Sequence, residues 1–207
     1  MKTLSKSVVI TASSLLAFPA FAHHPMGGMM PTNFSQGMLS GLGHPIIGLD
    51  HLAFVLLVGL LAATLSGAAR YLVPGAFVAA VILGTGIHMI SLDLPVPELV
   101  IAFSVISAGL LAMLRKELPT LLLGLGVAGF GLFHGYAYGE SIIGAETSPI
   151  VAYLIGLSLI QYALIMAVGF GMNKLAERSE HVQNIVSRST AVAGAAIGAF
   201  FLISNLA

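Results

Sequence analysis

The chain has 207 residues, of which 57% are hydrophobic and only 8% are charged, and its mean hydropathy is +1.01. Soluble domains carry about 25% charged residues, so this composition excludes an ordinary water-soluble domain. It predicts an all-α membrane protein with one membrane domain. The absence of cysteine excludes both a disulfide framework and a thiolate metal site. The formal net charge of zero gives no indication of a nucleic-acid partner.

Residues 1–22 have the pattern of a cleavable signal peptide, which combines a basic start, a short apolar stretch and a small-residue cleavage site. Lys2 and Lys6 precede an apolar stretch over 8–18, and Ala20-Phe21-Ala22 provides the cleavage site. The alternative is an uncleaved first transmembrane helix. The apolar stretch is too short for that, because a helix needs about 20 residues to cross the hydrocarbon core.

Cleavage after Ala22 would leave residues 23–43 as a periplasmic N-terminal segment. The new N-terminus would carry a free amine followed by His23 and His24. An amine and two imidazoles could capture a divalent ion, so His23 is a candidate metal ligand.

Beyond residue 43 the chain contains six apolar runs, each close to the length that a transmembrane helix requires. They cover 46–66, 71–91, 96–114, 119–139, 149–172 and 188–206. The breaks between them hold glycine, proline or charged residues, which commonly end apolar helices. Residues 44–207 are therefore predicted to form a bundle of six transmembrane helices.

The distribution of basic residues sets the predicted orientation, because Lys and Arg concentrate in the cytoplasmic loops of membrane proteins. Threading six spans from a periplasmic N-terminus puts every Lys and Arg that remains after cleavage on the cytoplasmic side. These residues are Arg70, Arg115, Lys116, Lys174, Arg178 and Arg188. We therefore expect a multi-pass protein of the bacterial inner membrane whose mature N-terminus and C-terminus are both periplasmic.

The ionisable residues inside the predicted spans gather at one level. Such groups are costly in a membrane and are functional candidates by default. They are His44, Asp50, His51, His88, Glu98, His134 and Glu140. The predicted topology puts all of them near the periplasmic face, and the cytoplasmic half of the spans contains none.

The run from Gly43 to His51 holds the most specific of these signals. His44 and His51 are seven residues apart, so on one helix they would share a face, two turns apart. Pro45 is expected to start that helix, and Asp50 could ligate a metal or orient an imidazole. Nitrogen and carboxylate ligands without sulfur suit Ni, Co, Zn or Cu(II). The alternative is an interfacial histidine pair that only caps the helix; we favour metal binding.

A second signal surrounds His134. Gly131, Gly135 and Gly139 repeat every four residues, which makes a ridge of small residues that lets another helix approach closely. His134 lies on this packed helix, so we interpret it as a metal ligand rather than as a structural hydrogen-bonding group. Glu140 is either a further ligand or a solvated loop acid, and the sequence leaves both interpretations open.

Three other polar residues receive weaker assignments. His88 is either a ligand or an interfacial histidine in contact with water. Glu98 is favoured as functional, because no basic residue nearby in sequence could neutralise it. Gln161 is expected to hydrogen-bond across the bundle and is assigned no chemical role.

Two motifs, the signal peptide and the six spans together resemble the HupE/UreJ family. The motifs are His44-Pro45-x-x-Gly48-x-Asp50-His51 and Phe133-His134-Gly135-x-Ala137-x-Gly139. That family comprises small bacterial permeases for nickel and, in some members, cobalt, and the resemblance covers the whole mature chain. It implies that the metal path includes His44, Asp50, His51, Glu98 and His134. The chain departs from the family where Tyr138 stands in place of a histidine and Ser141 in place of an acid.

The resulting hypothesis is a permease domain over 44–207 that takes up Ni²⁺, or else Co²⁺, from the periplasm. The expected partners are the metal ion and the lipid bilayer; no cofactor, catalytic activity or nucleic acid is expected, and a homo-oligomer is left open. The resemblance further implies that the ion would supply hydrogenase, urease or cobalamin maturation. Two alternatives are an intramembrane zinc-dependent hydrolase and a non-catalytic membrane subunit or metal sensor.

Overall fold

A computed structural model describes residues 29–114 and 118–207. The predicted signal peptide, its cleavage site and His23 lie outside these residues, as do Arg115 and Lys116. The described residues form α-helices and one short 3₁₀ turn, and they contain no β-strand. In chain order the helices are α1 (Phe34–Ile47), α2 (Leu49–Ala63), α3 (Ala69–Met89), α4 (Pro97–Leu114), α5 (Thr120–Gly139), α6 (Thr147–Arg178) and α7 (Glu180–Leu206), with the 3₁₀ turn at Glu140–Ile142 after α5.

Helices α3 to α7 are each long and apolar enough to cross a membrane. The pair α1 and α2 passes the same test only when taken together, and it is bent by 79° at its break. This pair is either one broken span or a re-entrant segment, which gives five or six candidate spans in the described residues. The chain is therefore an all-α polytopic membrane protein, as the composition predicts.

The first helix begins earlier than the sequence analysis predicts. Its N-cap is Asn33, whose side chain accepts a hydrogen bond from the backbone N–H of Gln36 at 3.0 Å. The Gln36 side chain in turn accepts from the backbone N–H of Thr32 at 2.8 Å. Polar capping of this kind satisfies the first N–H groups of a helix. Part of the predicted N-terminal segment 23–43 is therefore helical.

The prediction that Pro45 starts the first span is wrong. Pro45 lies inside the last turn of α1, and the chain breaks at Gly48, which is extended with φ −72° and ψ 106°. A proline within a helix removes one backbone hydrogen bond and favours a break nearby. The new helix, α2, then begins at Leu49.

Glycines allow three helix pairs to pack with their backbones in close contact. Gly37 and Gly41 of α1 lie against the α6 backbone at Pro149 and Tyr153. Gly109 of α4 lies against Ala191 of α7. A side chain at any of these positions would collide with the facing backbone, so glycine is required for the close approach.

The third pair, α3 and α5, uses the glycine ridge that the sequence predicts. Gly131 and Gly135 lie against Phe77 and Val81 of α3, and Gly139 lies against the side chain of His88. The structure thus confirms that the ridge is a helix-packing surface.

Helix α2 lies in the middle of the bundle, in contact with α3, α4, α6 and α7. Eleven of its 15 residues are buried. The polar residues at its start, Asp50 and His51, are therefore enclosed by the surrounding helices. We call the end of the bundle that contains Asp50 and His51 the polar end. The last turns of α5 and the first turns of α6 also lie at this end, where His134 contacts His51 and Tyr153 contacts His44.

Candidate metal site

The bend at Gly48 brings His44 and His51 together. On one straight helix, residues seven apart would be separated by about 10.5 Å along the axis. Instead His44 lies in the last turn of α1 and His51 in the first turn of α2, and their ring centroids are 6.2 Å apart in an edge-on arrangement. Both side chains are buried. The predicted pairing of these histidines is present, but the helix break produces it rather than helical periodicity.

Gly48 provides the space that this arrangement needs. A Cβ atom at Gly48 would lie 2.7 Å from Cδ2 of the His51 ring and 3.5 Å from Oδ1 of Asp50. Its backbone angles are ones that any residue adopts. The glycine is therefore required for room beside His51 and not for its conformational freedom.

Asp50 is buried in the first turn of α2, beside both histidines. Its Oδ1 accepts a hydrogen bond from the backbone N–H of His51 at 2.8 Å. A carboxylate at this position satisfies one of the N–H groups at the helix start and offsets the positive end of the helix dipole. Asp50 therefore stabilises the beginning of α2 beside His51.

His51 continues into a chain of buried polar groups that crosses two other helices. Its Nδ1 lies 2.8 Å from Nδ1 of His134 in α5. Nε2 of His134 lies 2.9 Å from Oγ of Ser104 in α4. The Ser104 hydroxyl donates to the carbonyl of Ile101 at 2.6 Å. His134 also stacks on Phe54, with ring centroids 4.5 Å apart.

This chain determines which nitrogen of each imidazole carries the hydrogen. The single hydroxyl hydrogen of Ser104 is donated to Ile101, so Ser104 accepts from Nε2–H of His134. In its neutral form His134 then has a lone pair on Nδ1, which accepts from Nδ1–H of His51. The lone pair of His51 is consequently on Nε2, the nitrogen through which a histidine with a donated Nδ1–H commonly ligates.

A second group of hydrogen bonds orients His44. Its Nδ1 lies 2.7 Å from the Tyr153 hydroxyl of α6 and 3.3 Å from Oγ of Ser141. Tyr153 donates to the backbone carbonyl of Tyr138 at 3.1 Å. With its hydrogen used there, Tyr153 accepts from Nδ1–H of His44. This arrangement leaves the lone pair of His44 on Nε2 as well.

The Tyr138 ring covers both histidines. Its centroid lies 4.9 Å from that of His44 and 4.3 Å from that of His51. The side chain is fully buried. Tyr138 thus forms a wall of the cluster at the end of α5.

The two acids that complete the predicted site are exposed. Glu98 opens α4 and Glu140 follows α5, and the side chains of both are accessible. Glu98 interacts electrostatically with Asp50 and with Glu140. Three carboxylates, one buried and two exposed, therefore lie close enough to interact at the polar end.

His88 lies apart from this cluster. It is only partly buried, and its ring packs against Tyr136 with centroids 4.2 Å apart. Its Nδ1 has no hydrogen-bond partner in the described part of the chain. Tyr136 in turn donates to Asp93 at 3.2 Å. His88 is at the predicted level but does not contact the other histidines.

Within residues 29–114 and 118–207, no group of three or more His, Asp or Glu side chains is close enough to hold a metal ion. His51 and His134 are joined to each other by a hydrogen bond.

The sequence analysis missed the residues that orient these imidazoles. Ser104 and Tyr153 lie in largely apolar spans that also contain Ser107, Ser158 and Gln161, so no sequence signal singles them out. Ser141 was noticed only for replacing an acid of the family pattern.

Comparisons with known proteins agree with the resemblance in the motifs. A family profile described as HupE / UreJ protein matches residues 11–201. The chain is similar to Protein HupE of Rhizobium leguminosarum bv. viciae, with 31% identity over 192 residues that cover 92% of this chain and 97% of that protein. No solved structure matches the chain. This chain therefore belongs to the HupE/UreJ family, which is associated with nickel and cobalt transport.

Proposed function

We propose that this protein is a permease that takes up a divalent transition-metal ion, Ni²⁺ or Co²⁺, from the periplasm. One observation carries the proposal: the break at Gly48 places two buried imidazoles, His44 and His51, 6.2 Å apart at the start of the central helix. Membership of the HupE/UreJ family supports the same function.

The chemistry of the cluster suits these ions. Imidazole and carboxylate ligands favour divalent ions of the nickel and cobalt class over magnesium and calcium. Hydrogen bonds to Nδ1 leave the lone pairs of His44 and His51 on Nε2. Ligating histidines in metalloproteins are commonly oriented in this way.

Few protein ligands are an advantage for a transporter. Conduction requires binding that is strong enough to admit the ion and weak enough to release it. Two imidazoles with Asp50 replace only part of a hydration shell, so the ion would keep several water molecules. His134 has both ring nitrogens engaged, and we assign it the role of orienting His51.

The exposed acids attract the ion toward the site. Glu98 and Glu140 stand at the entrance and interact electrostatically with each other. Negative charge around an opening raises the local concentration of cations. We place this entrance on the periplasmic side of the inner membrane. In that orientation the Lys and Arg residues of the loops lie on the cytoplasmic side, as is usual for membrane proteins.

The zinc-dependent hydrolase is not favoured. The chain belongs to a transporter family, which fits a protein without catalytic activity. A hydrolase would also need a general acid–base residue beside an open metal position.

The test measures accumulation of radioactive nickel and of radioactive cobalt in cells that lack their own transporters. Wild type is compared with His44→Ala, Asp50→Ala and His51→Ala at matched membrane levels. We expect accumulation above background in wild type and loss of accumulation in all three variants. The matched control is His181→Ala, because His181 is an exposed histidine at the opposite end of the bundle.

Two outcomes would contradict the proposal. If wild type accumulates neither ion, the permease function is rejected, and purified protein should be tested for bound zinc and for hydrolase activity. If wild type accumulates an ion but the three alanine variants do so equally well, the cluster is not the binding site.

A further inference from the structure

Gln161 is a polar side chain that the proposed site does not use. It lies in the middle of α6 with 0% of its surface exposed. Neither its amide nitrogen nor its amide oxygen has a hydrogen-bond partner in the described part of the chain. The expected hydrogen bond of Gln161 across the bundle therefore does not reach full geometry among the described residues, although the amide lies close to Tyr138 of α5.

Tyr138 is likewise fully buried and has a polar atom without a hydrogen-bond partner among the described residues. Its side chain is 0% exposed, and the unpaired atom is its hydroxyl oxygen. The Gln161 amide faces this hydroxyl without reaching hydrogen-bond geometry. The ring of Tyr138 packs against His44 and His51. Tyr138 therefore extends from the histidines to Gln161.

Gln161 lies deeper in the bundle than His44. Tyr153 of the same helix hydrogen-bonds to His44 and marks the level of that histidine. Gln161 is eight residues further along α6, which corresponds to about 12 Å along the axis. Gln161 is thus on the inner side of His44, and the Tyr138 hydroxyl faces it there.

Unpaired polar atoms at this depth call for an explanation. Inside a bilayer no bulk water is available to satisfy them, so they are costly and mark functional positions. Other buried polar side chains here have partners: Thr85 donates to the carbonyl of Gly135 at 2.8 Å, and Ser104 contacts His134. The fold pairs these groups but leaves Tyr138 and Gln161 facing each other.

We infer that the Gln161 amide oxygen and the Tyr138 hydroxyl form a second cation station, which receives the partly hydrated ion from His44 and His51. This inference rests on the proposed transport function and describes where the ion moves after it leaves His44 and His51. Neutral oxygen ligands bind nickel and cobalt more weakly than imidazole does. A weak inner station promotes release from the outer site, as conduction requires.

The test separates binding at the outer site from passage beyond it. Full-length wild type, Gln161→Leu and Tyr138→Phe are purified and reconstituted into liposomes, and the initial rate of Ni²⁺ influx is measured. Equilibrium binding of Ni²⁺ and the melting temperature are measured on the same preparations. The matched control is Ser158→Ala on the same helix, because the Ser158 hydroxyl bonds only to the carbonyl of Leu154 within its own helix.

We expect influx to fall at least tenfold in Gln161→Leu and in Tyr138→Phe, with Ni²⁺ affinity within twofold of wild type. The melting temperature of Gln161→Leu should not fall, because replacing an unpaired buried amide with an apolar side chain removes a cost. Ser158→Ala should match wild type in all three measurements.

Each contrary result has one meaning. If wild type transports and Gln161→Leu transports equally well, the inner station is rejected while the permease function stands. If Gln161→Leu loses affinity and melting temperature together, Gln161 has a structural role and the station is likewise rejected. If wild type moves neither nickel nor cobalt, the proposed function fails and the inner station fails with it.

Discussion

The two ends of the bundle differ in whether their polar side chains are buried or exposed. At the polar end, histidine, aspartate, serine and tyrosine side chains are buried, and several bond to side chains of other helices. At the other end, which we call the basic end, Lys174, Arg178 and Arg188 are exposed. Arg70 bonds to the nearby carbonyl of Leu65.

This difference shows that the polar cluster is not a general requirement of helix packing. Helix α4 packs against α7 through Gly109 and Gly198 without any histidine or acid between them. Glycine contacts and apolar side chains are sufficient there. Helix packing alone therefore does not explain why ionisable groups are buried at the polar end. Three substitutions test this contrast.

The largest expected effect is at the helix break. Gly48→Ala would place a methyl group 2.7 Å from the His51 ring and force that ring away from His134. The fold should persist, because alanine adopts the Gly48 backbone angles. Ion uptake should fall about 100-fold, since displacements of about 1 Å in a binding constellation have effects of this size.

The matched control for Gly48→Ala is Gly75→Ala near the basic end, where an added Cβ would meet no atom within 4 Å. Uptake should equal that of wild type in this control. Equal uptake in both alanine variants would show that the position of His51 is unimportant.

An intermediate effect is expected at Ser104. Ser104→Ala removes the acceptor of Nε2–H of His134 and leaves that buried donor unpaired, at a cost of about 1–3 kcal/mol in stability. His51 then loses its fixed tautomer, so Ni²⁺ affinity of the purified protein should fall about tenfold. Affinity is measured by titration calorimetry and stability by thermal melting.

Ser158→Ala again serves as the comparison, since both serines bond to a carbonyl of their own helix but only Ser104 also bonds to an imidazole. An unchanged affinity in Ser104→Ala, despite lower stability, would mean that the tautomer of His51 does not matter for binding.

The smallest effect is expected at the entrance. Glu140→Gln removes one of the exposed carboxylates near Glu98 without disturbing a buried contact. The initial uptake rate should fall about twofold at low ionic strength, and the difference should shrink in higher salt as screening increases. Glu177→Gln, an exposed acid of the basic end, should show no change. A salt-independent effect of Glu140→Gln would indicate direct ligation instead.

Much of the fold could be predicted from the sequence, because each span satisfies its backbone hydrogen bonds within itself. Apolar length therefore locates the apolar parts of α3 to α7, and the spacing of Gly131, Gly135 and Gly139 identifies a helix interface. It does not locate the polar ends of the last two helices, because α6 continues to Arg178 and α7 begins at Glu180, within the predicted break between 172 and 188. The start of α1 could not be found from apolar length, because this helix begins at Phe34, well before the apolar run that starts at residue 46. The break at Gly48 was missed because His44 and His51 also fit one continuous helix.

The histidines of the site could be predicted because ionisable groups are rare in apolar spans. Their partners could not. Ser104 and His134 are 30 residues apart, and His44 and Tyr153 are 109 apart. Only the packing of α4 against α5, and of α1 against α6, decides that these side chains meet. Similarly, His88 was placed at the correct level, but sequence periodicity does not show that it packs against Tyr136.

The break in the first span also has an electrostatic consequence. Two helix ends meet at Gly48: the carbonyl end of α1, with His44 in its last turn, and the amide end of α2. Asp50 neutralises the amide end, whereas the carbonyl end keeps its partial negative charge. At the proposed site, this partial charge would favour a cation beside the buried cluster, as the ends of broken helices do in other transporters. An unbroken helix would direct no carbonyl groups to this point.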